Sequence, residues 1–316
     1  MPAPLEEVTL PKEWGLERMQ GKVRDIYVLP NGRLALIATD RLTGFDVRLG
    51  LIPNRGQILN QLSGWWFDKT RDIVPNHMVN VPDPNVMIVR RLETIPIEMV
   101  VRGHLTGTTS TSIWERYRVG ERTIGGIELP GGMKKNEPLP YPIVDPTTKA
   151  ATGHDKKITE KEIISAGIVT ELEWQALKAT SLALFARGQA LARQAGLILV
   201  DTKYEFGSDI KTGSIVAIDE IHTPDSSRFW GLETYDQRLK ENIEPDSYDK
   251  EFVRLWYAGQ GYRGEGPAPR MPEDLVREAR KRYIFAYERL TGKQFEVPAG
   301  DPQERIITNL EARRVS

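Results

Sequence analysis

Short apolar runs set the pattern of the first hundred residues. Residues 26–28, Leu34–Ala38 and Val86–Val89 are apolar stretches of strand length, and Asn31-Gly32 between the first two is a hairpin turn dipeptide. One helix interrupts them, around 59–67, and residues 1–20 read as an irregular lead-in. Residues 118–157 are rich in Gly, Pro, Thr and Lys and read as a long ordered loop or a set of hairpins. Helical spacing then takes over. Thr159 with Glu162 and Thr170 with Glu173 are capping-box pairs, the second opening the longest helix, about 171–195. Leu177, Leu184 and Leu191 share one of its faces, and Gly196 stops it. A strand from 197 to 200 continues through 201–207. A turn around 211–214 leads to a second strand at 215–219. Two more helices are predicted near 247–257 and 273–290, the latter ending at Gly292, with a Gly/Pro loop at 259–270 between them. The tail after 293 carries no clear signal. The pattern predicts an α+β protein: a β-rich N-terminal domain over 1–97 and a larger α+β domain over 98–316.

Composition narrows the function. The 316 residues suffice for a substantial core. With 43 Lys plus Arg against 44 Asp plus Glu, the formal net charge of −1 argues against nucleic-acid or membrane-surface binding by bulk charge, while leaving room for a local basic pocket. The absence of cysteine excludes disulfides, thiolate metal sites and cysteine nucleophiles. No apolar run reaches the roughly 18 residues of a membrane span. The start MPAPLEEVTLPKEW lacks the basic and apolar regions of a signal peptide, so a cytoplasmic protein is expected.

Candidate chemistry concentrates in 201–230. On an extended strand Asp201, Lys203 and Glu205 share one face, and Thr202, Tyr204 and Phe206 the other. Three charges following Leu-Ile-Leu-Val need partners or a ligand. A hairpin symmetric about Thr212 sets Glu205 opposite Asp219, and a magnesium ion between the two carboxylates would relieve their repulsion. A solvated face with Lys203 pairing either acid accounts for the same spacing. The following His-Thr-Pro-Asp-Ser-Ser-Arg-Phe-Trp supplies turn residues and, in Arg228, a fork for phosphate or carboxylate. In the N-terminal half, Lys22 and Arg24 follow Gly21 at i and i+2, suited to phosphates or to a solvated edge strand. Asp40 and Arg41 open a charged turn, DRLTGFD. Arg102 leads into a Gly/Thr/Ser loop fit for an anion. Trp65-Trp66-Phe67 reads as core. No two of the four histidines have metal-ligand spacing, and His154, in Gly153-His154-Asp155, is the best substrate contact among them.

Together the blocks GKVRDIY, DRLTGFD, PIEMVVRGHLTGT, PIVDPTTKA, GHD, LILVDTKYEFG and DEIHTPDSSRFW, in this order over about 21–260, resemble the phosphoribosylaminoimidazole-succinocarboxamide synthase (SAICAR synthetase) family. The resemblance implies an ATP-dependent amide ligase of purine biosynthesis. It would join L-aspartate to the carboxylate of carboxyaminoimidazole ribotide, with an acyl phosphate between, and release ADP and phosphate. It also implies an ATP-grasp-like or kinase-like nucleotide cleft between the two domains. Lys22 and Arg24 would then hold ATP phosphates, with Glu98 near the adenine or ribose. Glu205 and Asp219 would carry Mg2+. Lys203, Arg228 and Asp201 would be catalytic. Arg102, Thr108, Lys149, His154, Asp155, Ser227, Asp40 and Arg41 would bind the ribotide or aspartate. The implied partners are small molecules, with no nucleic acid or membrane, on a monomer or small homo-oligomer. A small-molecule kinase is the rival of another class; it would need no amine.

Overall fold

The computed structural model describes residues 2–109, 111–149, 156–209 and 212–314. Two antiparallel sheets organise it. The N-terminal sheet has five strands in the order Arg18–Gln20, Arg24–Val28, Leu34–Ala38, Val86–Val89, Met78–Asp83. Asn31-Gly32 makes the expected hairpin, with Gly32 at φ 75°. The predicted helix spans Arg55–Lys69 and buries Trp66 and Phe67.

The second sheet is built on two twelve-residue strands, Glu93–His104 and Leu197–Ser208, paired antiparallel. Pro138–Val144 and Thr147–Thr148 add to the first; Ile215–Ile218 and Ser227–Gly231 add to the second. The 118–157 region is thus a set of short strands and hairpins over its described part. Alternation sorts the central pair. Ile97, Met99, Val101, Tyr204 and Phe206 join the core, with Leu177 and Leu184 of the helix Glu171–Gln194. Both capping boxes form as read, at Thr159 and Thr170.

The structure departs from the sequence reading at four points. Glu205 pairs across the hairpin with Ile218, not Asp219. The strand ends there because Asp219 turns the chain with a left-handed φ of 65°, which aspartate tolerates better than most residues. A boundary at 97/98 would cut the strand Glu93–His104; the seam between the sheets lies at 90–92. The helix expected from 247 begins at Glu251, so Asp249 and Lys250 stand at its entrance. The tail holds a helix, Pro302–Arg314, whose Ile306 and Leu310 pack with Tyr27 and Ile37 of the N-terminal sheet and with Leu5 and Val8 of the segment before it. Sequence reading also passed over the helix Leu232–Lys240. None of the described helices is long and apolar enough to cross a membrane.

Candidate active site

The polar face of the central strand pair becomes the floor of a cleft. The register sets Arg102 beside Asp201, Val100 beside Lys203 and Glu98 beside Glu205. Around this floor stand Lys22, in the bend before the strand Arg24–Val28, and Arg24 at its start, Asp46 at the tip of the hairpin Arg41–Gly44 and Val47–Leu51, the turn Asp219-Glu220, the segment 225–228, and the helix entrance at Asp249, Lys250 and Arg254. The cleft holds about 480 Å³ and opens into an outer space of about 1050 Å³ that adds Thr108, Thr147 and Arg263. Among the described residues its inner lining has eight basic and seven acidic side chains, with Val23 and Val100 the apolar ones. Such a wall suits a highly charged polar ligand and not an apolar one.

The charges are paired in a chain. Lys203 Nζ donates to Glu98 at 2.8 Å and to Glu205 at 2.5 Å, and Lys149 also binds Glu205. Burial opposes the ammonium of Lys203, but Glu205, Glu98 and Asp219 outweigh it and hold its pKa well above the ordinary lysine range. Arg24 binds Asp219 and, at 3.0 Å, Glu220. Burial pushes the Asp219 carboxyl up, yet Arg24, Lys203 and Lys149 bring it below the usual range. Arg228 donates to Asp201 and to Glu251 at 3.2 Å, and Glu251 also accepts from Thr108 at 2.8 Å. Against the cost of burial, Arg228 and Arg254 bring Glu251 down to about 2. Ser227 donates to Thr202 at 2.7 Å beside the cleft. Arg102 is oriented by Asp145 at 2.8 Å, which also takes Arg116 at 2.6 Å.

Lys22 lies at the mouth, 3.3 Å from Asp46 and largely exposed. The guanidinium of Arg24 is engaged by the two acids behind it, which suits it to setting Asp219 more than to meeting phosphates directly. Asp40 and Arg41 are corrected: both are buried supports behind the cleft wall, absent from its lining. Asp40 accepts from the backbone of Leu5, Asn54 and Gly56 and so fixes the start of the helix Arg55–Lys69. Arg41 binds Asp25 and the carbonyls of Gly21 and Lys22. His154 and Asp155 lie outside the described residues. His77, His104 and His222 are buried, and burial lowers them to about 3, 4 and 3, so they are neutral and structural. Sequence reasoning missed Asp225, Asp249, Lys250, Glu251 and Arg254. The neighbouring pairs Asp249-Lys250 and Glu251-Arg254 read as an ordinary solvated helix start.

Among the described residues no cluster of three or more metal-ligating groups occurs. Magnesium characteristically takes one or two carboxylates and completes its shell with water and substrate phosphates. Asp219, in the cleft lining, and Glu205, outside the lining with its two oxygens on Lys203 and Lys149, are hard oxygen donors of the kind that demand calls for.

Residues 17–269 match the family model described as SAICAR synthetase. The chain is 45% identical to the phosphoribosylaminoimidazole-succinocarboxamide synthase of Legionella pneumophila (strain Paris), covering 98% of this chain and 99% of that one. It is 48% identical to the chloroplastic synthase of Arabidopsis thaliana, over 92% of this chain and 71% of that one. Among solved structures it resembles the Saccharomyces cerevisiae SAICAR synthase complexed with SAICAR, with a TM-score of 0.77 at 32% identity, covering 92% of this chain and 100% of the other. It also resembles a SAICAR synthetase in complex with ADP, with a TM-score of 0.68 at 25% identity over 89% of this chain and 100% of that one. Fold, cleft and relatives agree: the chain belongs to the SAICAR synthetase family, the phosphoribosylaminoimidazole-succinocarboxamide synthases of purine biosynthesis.

Proposed function

We propose that this cleft joins L-aspartate to the carboxylate of carboxyaminoimidazole ribotide through an acyl phosphate. The γ-phosphoryl group of ATP passes to a carboxylate oxygen and ADP leaves. The aspartate amine then attacks the acyl carbon, the C–O bond to phosphate breaks, and the surplus amine protons pass to solvent. The observation that carries this reading is the charge of the cleft: eight basic side chains are supplied by the blocks that define the family and by the helix entrance at 249–254. Phosphoryl transfer asks a protein mainly for positioning and charge neutralisation. Lys22 at the mouth meets ATP phosphates, and Arg24 sets Asp219. Glu98, tied to Lys203 and Thr147, orders the nucleotide side. Arg102, Lys203 and Arg228 meet the anionic groups of the ribotide, with Thr108, Ser227 and Asp201 beside them. Lys149 stands where the nucleotide and acceptor sides meet. Glu205 and Asp219 would hold Mg2+, which supplies charge neutralisation to the transferring phosphoryl group.

In this reading the part before the seam at 90–92 grips phosphate, and the rest carries the ribotide and metal groups. The chain is read as a monomer or small homo-oligomer working on the soluble nucleotides of the cytoplasm. The test is ADP release with MgATP, the ribotide and L-aspartate, each omitted in turn. Strict dependence on all three, with a succinocarboxamide product, is expected. ADP release without aspartate, leaving a stable phosphorylated product, would favour a kinase. Asp219→Asn is expected to cut turnover by at least about 100-fold, the scale of losing a strong electrostatic contact in a transition state. Near-normal turnover in that variant would remove Asp219 from the metal assignment.

A further inference from the structure

Arg55 is outside the cleft lining and is fully buried, with a relative exposure of 0%. It opens the helix Arg55–Lys69 directly after Asn54, which stands in the left-handed region at φ 66°. Its guanidinium spans two parts of the molecule. Nη1 donates to the carbonyl of Arg41 at 2.7 Å, at the start of the hairpin that carries Asp46, and Nη2 donates to Asp225 at 2.5 Å. Asp225 does line the cleft, and the same carboxylate oxygen lies 3.4 Å from the ammonium of Lys250. The turn around Asp225 is closed on itself. Thr223 Oγ1 accepts from the backbone of Asp225 and Ser226, each at 3.2 Å, and the Thr223 carbonyl accepts from Ser227 at 2.9 Å. Lys250 N in turn donates to the Pro224 carbonyl at 3.1 Å. The turn and the helix entrance are therefore bonded to one another, and Arg55 is a charged tie between them and the N-terminal half.

A tie of this kind is a poor means of stabilisation. Desolvating an arginine and an aspartate offsets much of their attraction, and an apolar pair of similar volume would often hold the two parts as well. What the ion pair adds is a fixed direction, because the planar guanidinium fork sets both the carbonyl and the carboxylate. We propose that Arg55 is a positioning residue of the reaction: acting through Asp225, it holds the turn at 223–226, the strand start at Ser227 and Arg228, and Lys250 in register with the N-terminal segment that carries Lys22 and Arg24. This rests on the ligase reading of the cleft. Arg55 touches no substrate in it. Its effect falls on the acceptor side, where Ser227, Arg228 and Lys250 stand, and spares the nucleotide side at Lys22.

The test uses the full chain with Arg55→Lys, Asp225→Asn and the double variant. Steady-state constants are measured for each substrate, and calorimetry follows binding of the ribotide and of a non-hydrolysable ATP analogue. Arg55→Lys keeps the charge but loses the fork. It is expected to lower kcat/KM for the ribotide on the order of 10- to 100-fold, the scale of a small misplacement away from the chemistry, while the affinity for the ATP analogue stays within about twofold. The double variant should be hardly worse than either single one, since both break one interaction. Equal loss for ribotide and nucleotide, simple additivity, or unchanged constants despite lowered thermal stability would each overturn the proposal. If Arg55→Lys fails to fold, the near-isosteric Asp225→Asn carries the same expectation and the same refutation. Absence of succinocarboxamide product from the wild-type chain would instead count against the ligase reading, and the calorimetric comparison of ribotide with nucleotide would still decide the role of Arg55.

Discussion

His222 is wedged edge-on between Trp66 and Tyr204, with ring centroids 4.5 and 5.3 Å away. Burial pushes the tyrosine hydroxyl up and the imidazole down to about 3, so a neutral Tyr204 hydroxyl and the neutral imidazole share one hydrogen bond at Nε2. The sign of the consequence follows from linkage. An unfolded histidine takes up its proton near pH 6.5, and the folded one refuses it down to about 3. The unfolded state thus binds more protons across this window, so stability at this site is full above pH 6.5 and declines as pH falls, by about 1.4 kcal/mol per unit. The carboxyl of Asp249, raised by burial to about 7, works in the opposite direction over the same range, which is why the site must be isolated by mutation. His222→Gln should flatten the fall in urea midpoint between pH 6.5 and 4.5 relative to the parent chain. Identical slopes would show that His222 does not contribute.

At the scale of elements, the helix Glu171–Gln194 tolerates Gly188 in its middle because nothing larger fits. A Cβ there would sit 2.5 Å from His222 Cε1 and 2.6 Å from Leu199 Cδ2. Alanine is the better helix former by about 1 kcal/mol. Gly188→Ala is nevertheless expected to destabilise the protein by about 1–3 kcal/mol through overpacking between the helix and the back of the central sheet. Equilibrium unfolding in urea measures it, and a stabilised variant would mean that the helix is free to shift. The periodicity of this helix and its capping box at Thr170 were legible in the sequence, because they depend on neighbours three and four residues apart. Its glycine was not, since the atoms that exclude a side chain come from a strand and a turn further along.

For the whole molecule, the chain closes on itself. After the second sheet it returns through Glu273–Thr291, beside the helix Arg55–Lys69, and its last helix covers the N-terminal sheet. Arg305 fastens this helix to Asp83 and Asn85 at 2.8 and 2.7 Å. Ile306 is fully buried there, so Ile306→Ala should cost about 2–5 kcal/mol of stability, in the range of large-to-small core changes. Urea denaturation gives the number. A loss below about 0.5 kcal/mol, the size of an ordinary surface substitution, would show that the helix is not part of the cooperative core.

The sequence alone determined what local spacing controls. Strand alternation put Asp201, Lys203 and Glu205 on one face and Tyr204 and Phe206 in the core. Capping pairs and glycines marked helix ends, and the ordered motif blocks pointed to the family. Tertiary structure decided everything that depends on distant segments meeting. It set Glu205 opposite Ile218, engaged Arg24 with Asp219 and Glu220, and withdrew Asp40 and Arg41 behind the wall. It also brought the helix entrance at 249–254 and the buried Arg55 to bear on the turn at Asp225. The physical reason is common to these cases. A charged side chain reads the same in sequence whether it faces water or a partner, and only packing determines which charges lose their water and must therefore find one another.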